Sequence, residues 1–394
     1  MLIAHLSDIH LGYSQFNLRE REEDVYEVFE EAVNKCITEH ADLILIAGDI
    51  FHSPRPSGSS IVKFANELKK VKEKSIRVFF VLGEHDINRT QDIPVPYLFH
   101  NLGLATKLTE NFPVRVDNIT IFGFDKERKS NIQNLLDRFK ITQNLAKREK
   151  EERKGDTIGK TNSKNILVLH QGLTDFNKFA GEIKSTDLPL NFDYYAMGHY
   201  HDHLEKKPDF LDGLIAYPGS LDLTPSEGIK EVDKGFFITD FSANEVKPHW
   251  IRLENRRDQF SADLNYESLS TELTKIIQKA NSCKKKPIIM LKILGHQIDS
   301  KNVASNLLEL NKFCLHYAWQ SVEKQQNTPF LYDGTQINIE SELTRLTRQA
   351  LRSEDLASFA ITEVLPLAGA DDEKATLDIV WKHYINSKIQ NNIG

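Results

Sequence analysis

The chain has 394 residues and a formal net charge of −7, with 27% charged and 40% hydrophobic residues. At roughly 150 residues per domain, this length predicts two or three domains with sizeable cores. No run approaches the roughly 20 consecutive apolar residues of a membrane-spanning helix, which argues against a membrane-embedded protein. The first ten residues lack signal-peptide character, and the three cysteines lie far apart. We therefore expect a cytoplasmic protein without disulfides or a cysteine-type zinc site.

Most of the acidity lies early in the chain, because residues 1–259 carry six of the seven net negative charges. DNA-binding proteins are often basic. The balance therefore argues against a nucleic-acid partner, unless these carboxylates have another use.

Predicted strands and helices alternate in the first part of the chain. Short apolar runs predict strands, and apolar residues at helical spacing predict helices at Glu22–Glu39 and Ser57–Lys74. The predicted strands are Leu2–Leu6, Leu43–Ala47, Ile76–Leu82, Ile119–Phe124, Asn165–Leu169, Tyr194–Met197, Leu214–Tyr217 and Phe236–Phe241. This alternation predicts an α/β unit with a central sheet. The charged residues 144–164 predict a solvated helix end followed by a loop.

The strand pattern changes around Leu253–Gln259, where a small α+β domain is predicted to begin. The later predicted elements are helices at Tyr266–Ala280 and Lys301–Leu310, a strand at Pro287–Leu294, and C-terminal helices at Ile339–Leu365 and Lys374–Lys388. We therefore divide the chain into residues 1–255, 256–335 and 336–394.

Five short motifs place His or carboxylate residues directly after predicted strands. They are Asp8-Ile9-His10, Gly48-Asp49, Gly83-Glu84-His85-Asp86, Leu169-His170 and Gly198-His199-Tyr200-His201. Ligands of α/β sheets gather at the carboxyl ends of strands, and glycine lets the backbone approach a site closely. One such motif alone is usually a chance occurrence or a surface turn. Five together predict a site for a divalent metal such as Mn, Fe or Zn.

The order of these motifs resembles the signature of calcineurin-like metallophosphoesterases. Within that superfamily, the chain resembles the Mre-eleven/SbcD family of DNA double-strand-break repair nucleases, its archaeal members above all. The closer resemblance is carried by Asp8-Ile9-His10-Leu11-Gly12, Arg21-Glu22-Glu23-Asp24, Gly48-Asp49-Ile50-Phe51-His52, Pro56-Ser57 and Tyr217-Pro218-Gly219-Ser220. It implies a β-sandwich flanked by helices in residues 1–255, a small α+β capping domain in 256–335, and a helical appendage that binds an ATPase partner in 336–394.

The resemblance implies two Mn²⁺ ions per subunit, with Mg²⁺ or another divalent metal less favoured, about 3.5–4 Å apart. Carried over residue by residue, one ion is held by Asp8, His10 and His201. The other is held by Glu84, His170 and His199, with Asp49 as the bridge. Such a pair lowers the pKa of a bound water, whose hydroxide then attacks phosphorus.

Three further residues match catalytic positions of the family. His85 is expected to protonate the leaving oxygen, and Asp86 is expected to orient the His85 ring. His52 is expected to help stabilise the phosphate, although a plain turn residue is the alternative at this position.

Glu84 departs from the family pattern, which has a metal-binding Asn at this position. Two aspartates and two dications leave a formal charge of about +2, or about +1 with a bridging hydroxide; Glu84 lowers the latter to about zero. We expect tighter metal binding but weaker attraction for a phosphodiester, and hence a slower or more metal-selective nuclease.

The resemblance also implies partners. A homodimer is expected through helices Ser57–Lys74 and Val95–Leu102. The apolar candidates for its interface, for which internal packing is the alternative, are Ile61, Phe64, Leu68, Tyr97, Leu98 and Phe99. Lys284-Lys285-Lys286 is either a phosphate contact or, more commonly for such triplets, a solvated turn.

The C-terminal helices carry apolar stripes at Leu343, Leu346, Ala350, Leu351, Leu377, Val380, Trp381 and Tyr384. By resemblance they bind the coiled-coil base of an SMC-like ABC ATPase of the Rad-fifty/SbcC type. Packing against the body of the protein is the alternative.

The resemblance as a whole implies a nucleoid-associated, Mn-dependent DNA nuclease in double-strand-break repair, with 3′-to-5′ exonuclease activity on duplexes and endonuclease activity on single strands. A DNA-end tethering scaffold with a weak or silent metal site is the alternative. A phosphoesterase for small molecules or phosphoproteins is a third hypothesis, which the capping domain and appended helices disfavour. Bound metal would neutralise Asp8, Asp49 and Glu84, so the acidic balance does not exclude DNA; it predicts modest DNA binding by this chain alone.

Overall fold

The computed structural model describes residues 1–88, 93–154, 163–178, 180–224, 227–243, 245–323, 339–351, 353–368 and 376–384. They belong to two compact units, each considered by itself below. The main unit comprises Met1–Lys126, Lys140–Gln171 and Pro189–Gln326, and the second comprises Glu127–Phe139, Gly172–Leu188 and Asn327–Gly394.

Fifteen strands occur in the described residues. In chain order they are β1 (Leu2–Leu6), β2 (Leu43–Ala47), β3 (Arg77–Val81), β4 (Thr106–Lys107), β5 (Val114–Val116), β6 (Ile119–Phe124), β7 (Lys164–His170), β8 (Tyr194–Gly198), β9 (Leu204–Lys206), β10 (Leu214–Tyr217), β11 (Gly235–Asp240), β12 (Pro248–Arg252), β13 (Gln259–Asn265), β14 (Ile288–Gly295) and β15 (His316–Glu323).

The helices alternate with these strands in the main unit and cluster at the C-terminus. They are α1 (Arg19–Thr38), α2 (Gly58–Glu73), α3 (Tyr97–Asn101), α4 (Ile132–Lys154), α5 (Leu269–Ser282), α6 (Ser300–Leu307), α7 (Ile339–Leu351), α8 (Glu354–Phe359), α9 (Leu365–Ala368) and α10 (376–384).

Two six-stranded sheets form the sandwich of the main unit, where the strand pattern alone predicts one central sheet. Their strand orders are β12-β11-β1-β2-β3-β4 and β5-β6-β7-β8-β10-β9. Alternate residues of β2 explain the packing: Leu43, Leu45 and Ala47 enter the core between the sheets, whereas Ile44 and Ile46 face the core beneath the helices. A strand buried on both faces reads as a continuous apolar run. The predicted β-sandwich flanked by helices is confirmed.

Helices α1 and α2 cover the outer face of the first sheet. Ser57 begins α2 as its N-cap, since the Ser57 hydroxyl accepts a hydrogen bond from the Ser60 amide at 3.1 Å. Phe64 and Leu68 of α2 and Phe99 of α3 are each at most 2% exposed in this core. Their assignment to a dimer interface was therefore wrong, because they already fill the interior of their own protomer.

Residues 259–323 form a small α+β layer of the main unit, which lies outside the two-sheet sandwich. Strands β13, β14 and β15 make an all-parallel sheet, and α5 and α6 are the crossover helices that parallel pairing requires. Only β14 was predicted from the sequence. β15 was missed because its side chains are half-buried or exposed, so that it lacks a continuous apolar run.

A buried polar cluster joins this layer to the sandwich, and Asp24 of α1 lies at its centre. Its carboxylate accepts hydrogen bonds from Arg21 at 2.7 Å, Arg257 at 2.6 Å and Lys285 at 2.9 Å. Lys285 also donates to Glu27 at 2.7 Å. The Lys284-Lys285-Lys286 triplet is thus not simply a solvated turn, because the central lysine is committed to ion pairs within the chain.

The second unit contains the C-terminal helices, and the single helix predicted over Ile339–Leu365 is wrong. α7 ends at Leu351, and Ser353 begins α8 as an N-cap that accepts a hydrogen bond from the Leu356 amide at 3.3 Å. A π-helical turn then leads into α9. Leu346, Leu351, Leu377, Val380, Trp381 and Tyr384 are all exposed, whereas the side chain of Leu343 lies outside the described residues. Among the helices described, none is both long and apolar enough to cross a membrane.

Candidate metal centre

The five predicted motifs converge in the main unit at the carboxyl ends of β1, β2, β3, β7 and β8. β1, β2 and β3 run parallel to one another in the first sheet, as β7 and β8 do in the second, so the strand ends within each sheet lie along a common edge. Four of the predicted ligands sit on sharp turns with left-handed backbone angles: Asp8, His10, Asp49 and His199. Such turns aim the side chains inward immediately after the strand.

Two glycines permit the close approach of these loops. A Cβ atom at Gly83 would collide with the Asp49 side chain and backbone amide. A Cβ atom at Gly198 would collide with the Ala47 carbonyl. Glycine is therefore required at both positions for the strand ends to meet, as the Gly-containing motifs predict.

The first ligand group consists of Asp8, His10 and His201, whose donor atoms lie within 4.8 Å of one another. The His10 and His201 Nε2 atoms are 3.4 Å apart, and the Asp8 Oδ1 atom is 3.6 Å from His201 Nε2. These are the three residues that the resemblance assigns to one ion.

The second ligand group consists of Glu84, His170 and His199, within the same 4.8 Å limit. Glu84 Oε2 lies 3.2 Å from His199 Nδ1. His170 Nδ1 donates to the Ala47 carbonyl at 2.7 Å, which directs the His170 Nε2 atom into the site.

Asp49 lies between the two groups. Its Oδ2 atom is 3.5 Å from His170 Nε2 and 3.9 Å from His10 Nε2, while its Oδ1 atom accepts from the His85 amide at 2.9 Å. Burial opposes ionisation of His170, but the Asp49 carboxylate overrides it and raises the His170 pKa to about 10. Burial also opposes ionisation of Asp49, which is 1% exposed, but the nearby His170 and His10 hold the Asp49 pKa below its usual range.

The donors of these groups fit two divalent cations. Asp8 Oδ1 and His170 Nε2 are buried and, within the described part of the chain, have no hydrogen-bond partner. Buried polar atoms without partners are costly, and a coordinated ion removes that cost. Imidazole and carboxylate donors together suit borderline divalent metals.

His85 and His52 lie beside the first ligand group. Their rings stack at 5.3 Å, and His85 Nδ1 donates to the His52 carbonyl at 3.0 Å. Burial and the nearby His85 lower the His52 pKa to about 4. A neutral His52 ring is therefore favoured at neutral pH.

Asp86 does not orient the His85 ring as predicted. Its two carboxylate oxygens accept hydrogen bonds from the backbone amides of Ile50, Phe51 and Gly83 at 3.0–3.2 Å. Asp86 is 1% exposed, and burial together with the nearby Asp49 raises its pKa to about 7. It ties the Gly83 turn to the end of β2, and the His52 carbonyl holds the His85 ring in its place.

Sequence reasoning missed two polar residues at the site. Lys126 lies two residues after the end of β6, and its Nζ atom is 3.1 Å from Glu84 Oε2. Thr224 contacts His201, with Thr224 Oγ1 2.6 Å from His201 Nδ1. Lys126 was detectable, because it follows a strand end as the other site residues do. Thr224 lies in a loop that no strand pattern marks.

Comparison with known proteins places the chain in a family. Residues 1–203 match the model of the calcineurin-like phosphoesterases. The chain is 30% identical to the DNA double-strand break repair protein Mre11 of Methanocaldococcus jannaschii, across 74% of this chain and 76% of that protein. It is 32% identical to that of Sulfurisphaera tokodaii, across 80% and 79%, and 28% identical to that of Archaeoglobus fulgidus, across 98% and 85%.

Fold, site and family match together define a calcineurin-like phosphoesterase, a metal-dependent phosphodiester hydrolase whose site takes two divalent metals. The chain belongs within that class to the Mre11 family of DNA double-strand break repair proteins, which confirms the resemblance seen in its motifs.

Proposed function

We propose that this chain is a Mn-dependent DNA nuclease, a 3′-to-5′ exonuclease on duplex ends and an endonuclease on single strands, acting at the nucleoid in double-strand-break repair. The observation that carries the proposal is the pair of His/carboxylate groups that share Asp49 at the strand ends. Mn²⁺ accepts both imidazole and carboxylate donors, which suits this mixed ligand set. The relatives' printed names supply the link to double-strand break repair.

Each predicted ligand has a role in this proposal. Asp8, His10 and His201 bind one ion, and Glu84, His170 and His199 bind the other. When bound, such a pair supplies Lewis acidity and a water of lowered pKa. The protein holds the donors in place beforehand: the Ala47 carbonyl fixes the His170 ring, and Asp8 Oδ2 accepts from the His199 amide at 3.1 Å.

His85 is the proposed proton donor to the leaving oxygen. Its Nδ1 atom is engaged by the His52 carbonyl, which leaves Nε2 on the side of the metal groups, 3.9 Å from Glu84 Oε1. An imidazole within reach of the leaving group provides general-acid catalysis. We assign His52 to phosphate stabilisation beside it. We keep Asp86 as a positioning residue. It holds the turn that carries Glu84 and His85 against the end of β2, and it does not make the predicted contact to the His85 ring.

The competing proposal is a DNA-end tethering scaffold whose site is weakened by Glu84. Digestion of a blunt duplex and of single-stranded circles, each with Mn²⁺, Mg²⁺ or chelator, separates the two. Cleavage with Mn²⁺ that chelator abolishes supports the nuclease. Intact DNA with a chain shown to bind Mn²⁺ supports the scaffold.

We also propose a homodimer through the exposed side of α2 and α3. Of the predicted set, Phe64, Leu68 and Phe99 are buried, Ile61 and Tyr97 are partly buried, and only Leu98 is exposed, at 44%. Two apolar side chains outside that set are also exposed, Val62 of α2 at 58% and Leu102 just after α3 at 59%. Two copies related by a two-fold axis would cover this patch on both protomers.

Replacing Leu98 with Glu is expected to split the dimer, because it places a charge at a position that the proposed interface would bury. Sedimentation equilibrium should give about twice the 45.2 kDa chain mass for the wild type and one chain mass for the variant. The exposed Phe112, which lies in the loop between β4 and β5, provides the control: Phe112→Glu should remain dimeric. A monomeric wild type at micromolar concentration contradicts the proposal.

The C-terminal helices are proposed to bind the coiled-coil base of a Rad-fifty/SbcC-type ATPase. Trp381 is 62% exposed and Leu377 is 69% exposed, and these lie near Val380 on α10. An apolar stripe on an appended helix is the usual anchor for a helix-in-groove partner.

Deletion of residues 339–394 should abolish co-purification with the ATPase and leave Mn-dependent cleavage within about two-fold of wild type, since the metal centre lies wholly in the main unit. Trp381→Glu is the finer test and should weaken the same association without truncation. An ATPase that still co-purifies with the truncated chain refutes this assignment.

A further inference from the structure

Lys126 is anchored beside the metal centre by its neighbours at the end of β6. The Lys126 amide donates to the Leu82 carbonyl at 2.9 Å, and the Leu82 amide donates to Asp125 Oδ1 at 2.7 Å. Asp125 is itself paired with the buried Lys107 at 2.8 Å. These contacts fix the ends of β3 and β6 together, so Lys126 must lie next to the turn that carries Glu84.

The Lys126 ammonium points into the second ligand group. Its Nζ atom is 3.1 Å from Glu84 Oε2 and 3.3 Å from His199 Nδ1, and its side chain is 8% exposed. A lysine withdrawn from water in this way is costly unless a carboxylate compensates it. Glu84, at 41% exposure, provides that carboxylate.

The charge count of the centre changes when Lys126 is included. Asp8, Asp49 and Glu84 contribute three negative charges, and Lys126 returns one. With two dications the ligands alone give a formal charge of about +1, or about zero with hydroxide. Lys126 raises these values to about +2 and about +1. Lys126 therefore cancels the unit that Glu84 adds.

We propose that Lys126 is a charge-balancing and positioning residue of the second ligand group, which orients Glu84 and keeps the loaded centre positive enough to attract a phosphodiester. The inference rests on the proposed nuclease function. The positive charge of Lys126 has two opposed effects: it repels a cation in the second ligand group, and it attracts the anionic substrate. Removing it should thus tighten metal binding while weakening DNA binding, a combination that loss of structure does not produce.

The test measures Mn²⁺ binding by isothermal titration calorimetry on the full chain, together with kcat and KM for duplex cleavage. Lys126→Met should tighten the weaker Mn²⁺ site about ten-fold and raise KM for DNA about ten-fold. Glu84→Gln should have the opposite effects, weaker Mn²⁺ binding and a lower KM for DNA. The double variant should return towards the wild-type Mn²⁺ affinity and KM. Lys126→Arg should retain most wild-type behaviour, because it keeps the charge.

Lys150 provides the matched control, since it is also partly buried and ion-paired, 3.0 Å from Asp193 before the start of β8. Lys150→Met should change neither Mn²⁺ affinity nor KM. Unchanged or weaker Mn²⁺ binding by Lys126→Met overturns the inference and leaves the proposed function intact. A wild-type chain that binds no Mn²⁺ overturns the proposed function, and this inference with it.

Discussion

Replacing Asp49 with Asn should reduce Mn-dependent DNA cleavage at least about 10³-fold, which corresponds to about 4 kcal/mol of activation free energy. The effect is large because Asp49 faces both ligand groups, at 3.5 Å from His170 and 3.9 Å from His10. An amide keeps the shape of the side chain but removes the charge that two bound cations would share. Single-turnover cleavage of a duplex and calorimetric Mn²⁺ titration measure the two effects, and both should be impaired.

His85→Gln is the comparison that separates chemistry from metal binding. His85 is not among the ligands assigned to either ion, so this variant should retain Mn²⁺ affinity within about two-fold. It should still lose cleavage by about 10²- to 10⁴-fold, the usual contribution of a general acid. The proposed roles are wrong if Asp49→Asn keeps a tenth of wild-type activity, or if His85→Gln loses its metal as well.

The second large effect is on stability, at the buried cluster around Asp24. Asp24→Asn should lower the free energy of unfolding by about 3 kcal/mol. The Asp24 side chain is 3% exposed, and Arg21, Arg257 and Lys285 all donate to it. Removing the carboxylate leaves these cations with too little compensating charge. Urea denaturation, followed by circular dichroism at neutral pH, measures the loss.

Acid should abolish this difference between wild type and variant. Burial opposes ionisation of Asp24, but the hydrogen bonds and charges of Arg257, Lys285 and Arg21 hold its pKa below the ordinary value. Its stabilisation is therefore fully present above an unfolded pKa of about 3.9 and is lost as the pH falls through the lower folded value.

Glu27→Gln is the matched control for Asp24→Asn. Glu27 contacts the same Lys285, but its side chain is 54% exposed. Exposed ion pairs contribute little, so this variant should lie within about 0.5 kcal/mol of wild type. A loss below about 1 kcal/mol for Asp24→Asn would show that the cluster does not stabilise the joint between sandwich and parallel sheet.

The positions of the fully buried strands and the convergence of the five motifs were predictable from sequence for two physical reasons. Strands buried on both faces, such as Leu43–Ala47, appear as uninterrupted apolar runs, and the ends of parallel strands share an edge. The sequence order of the motifs therefore carries information about their position in space.

Side-chain direction was not predictable in the same way. Asp86 adjoins His85 in sequence, yet its carboxylate turns to three backbone amides. Phe64 and Phe99 lie in the helices that the resemblance assigns to a dimer interface, but they face inward. Helical period and adjacency give the relative orientation of residues, whereas tertiary packing decides which face is buried.

The left-handed turns at Asp8, His10, Asp49 and His199 set a limit on how stable this protein can become by mutation alone. Non-glycine residues in such conformations each cost on the order of 1–3 kcal/mol. Glycine would relieve the strain, but it would remove a proposed metal ligand each time. Metal that binds only the folded chain raises the free energy of unfolding and so offsets part of that cost. Attempts to thermostabilise the enzyme should therefore begin at the Asp24 joint or at solvent-exposed helices and leave the strand ends unchanged, because folding energy is sacrificed there for catalysis.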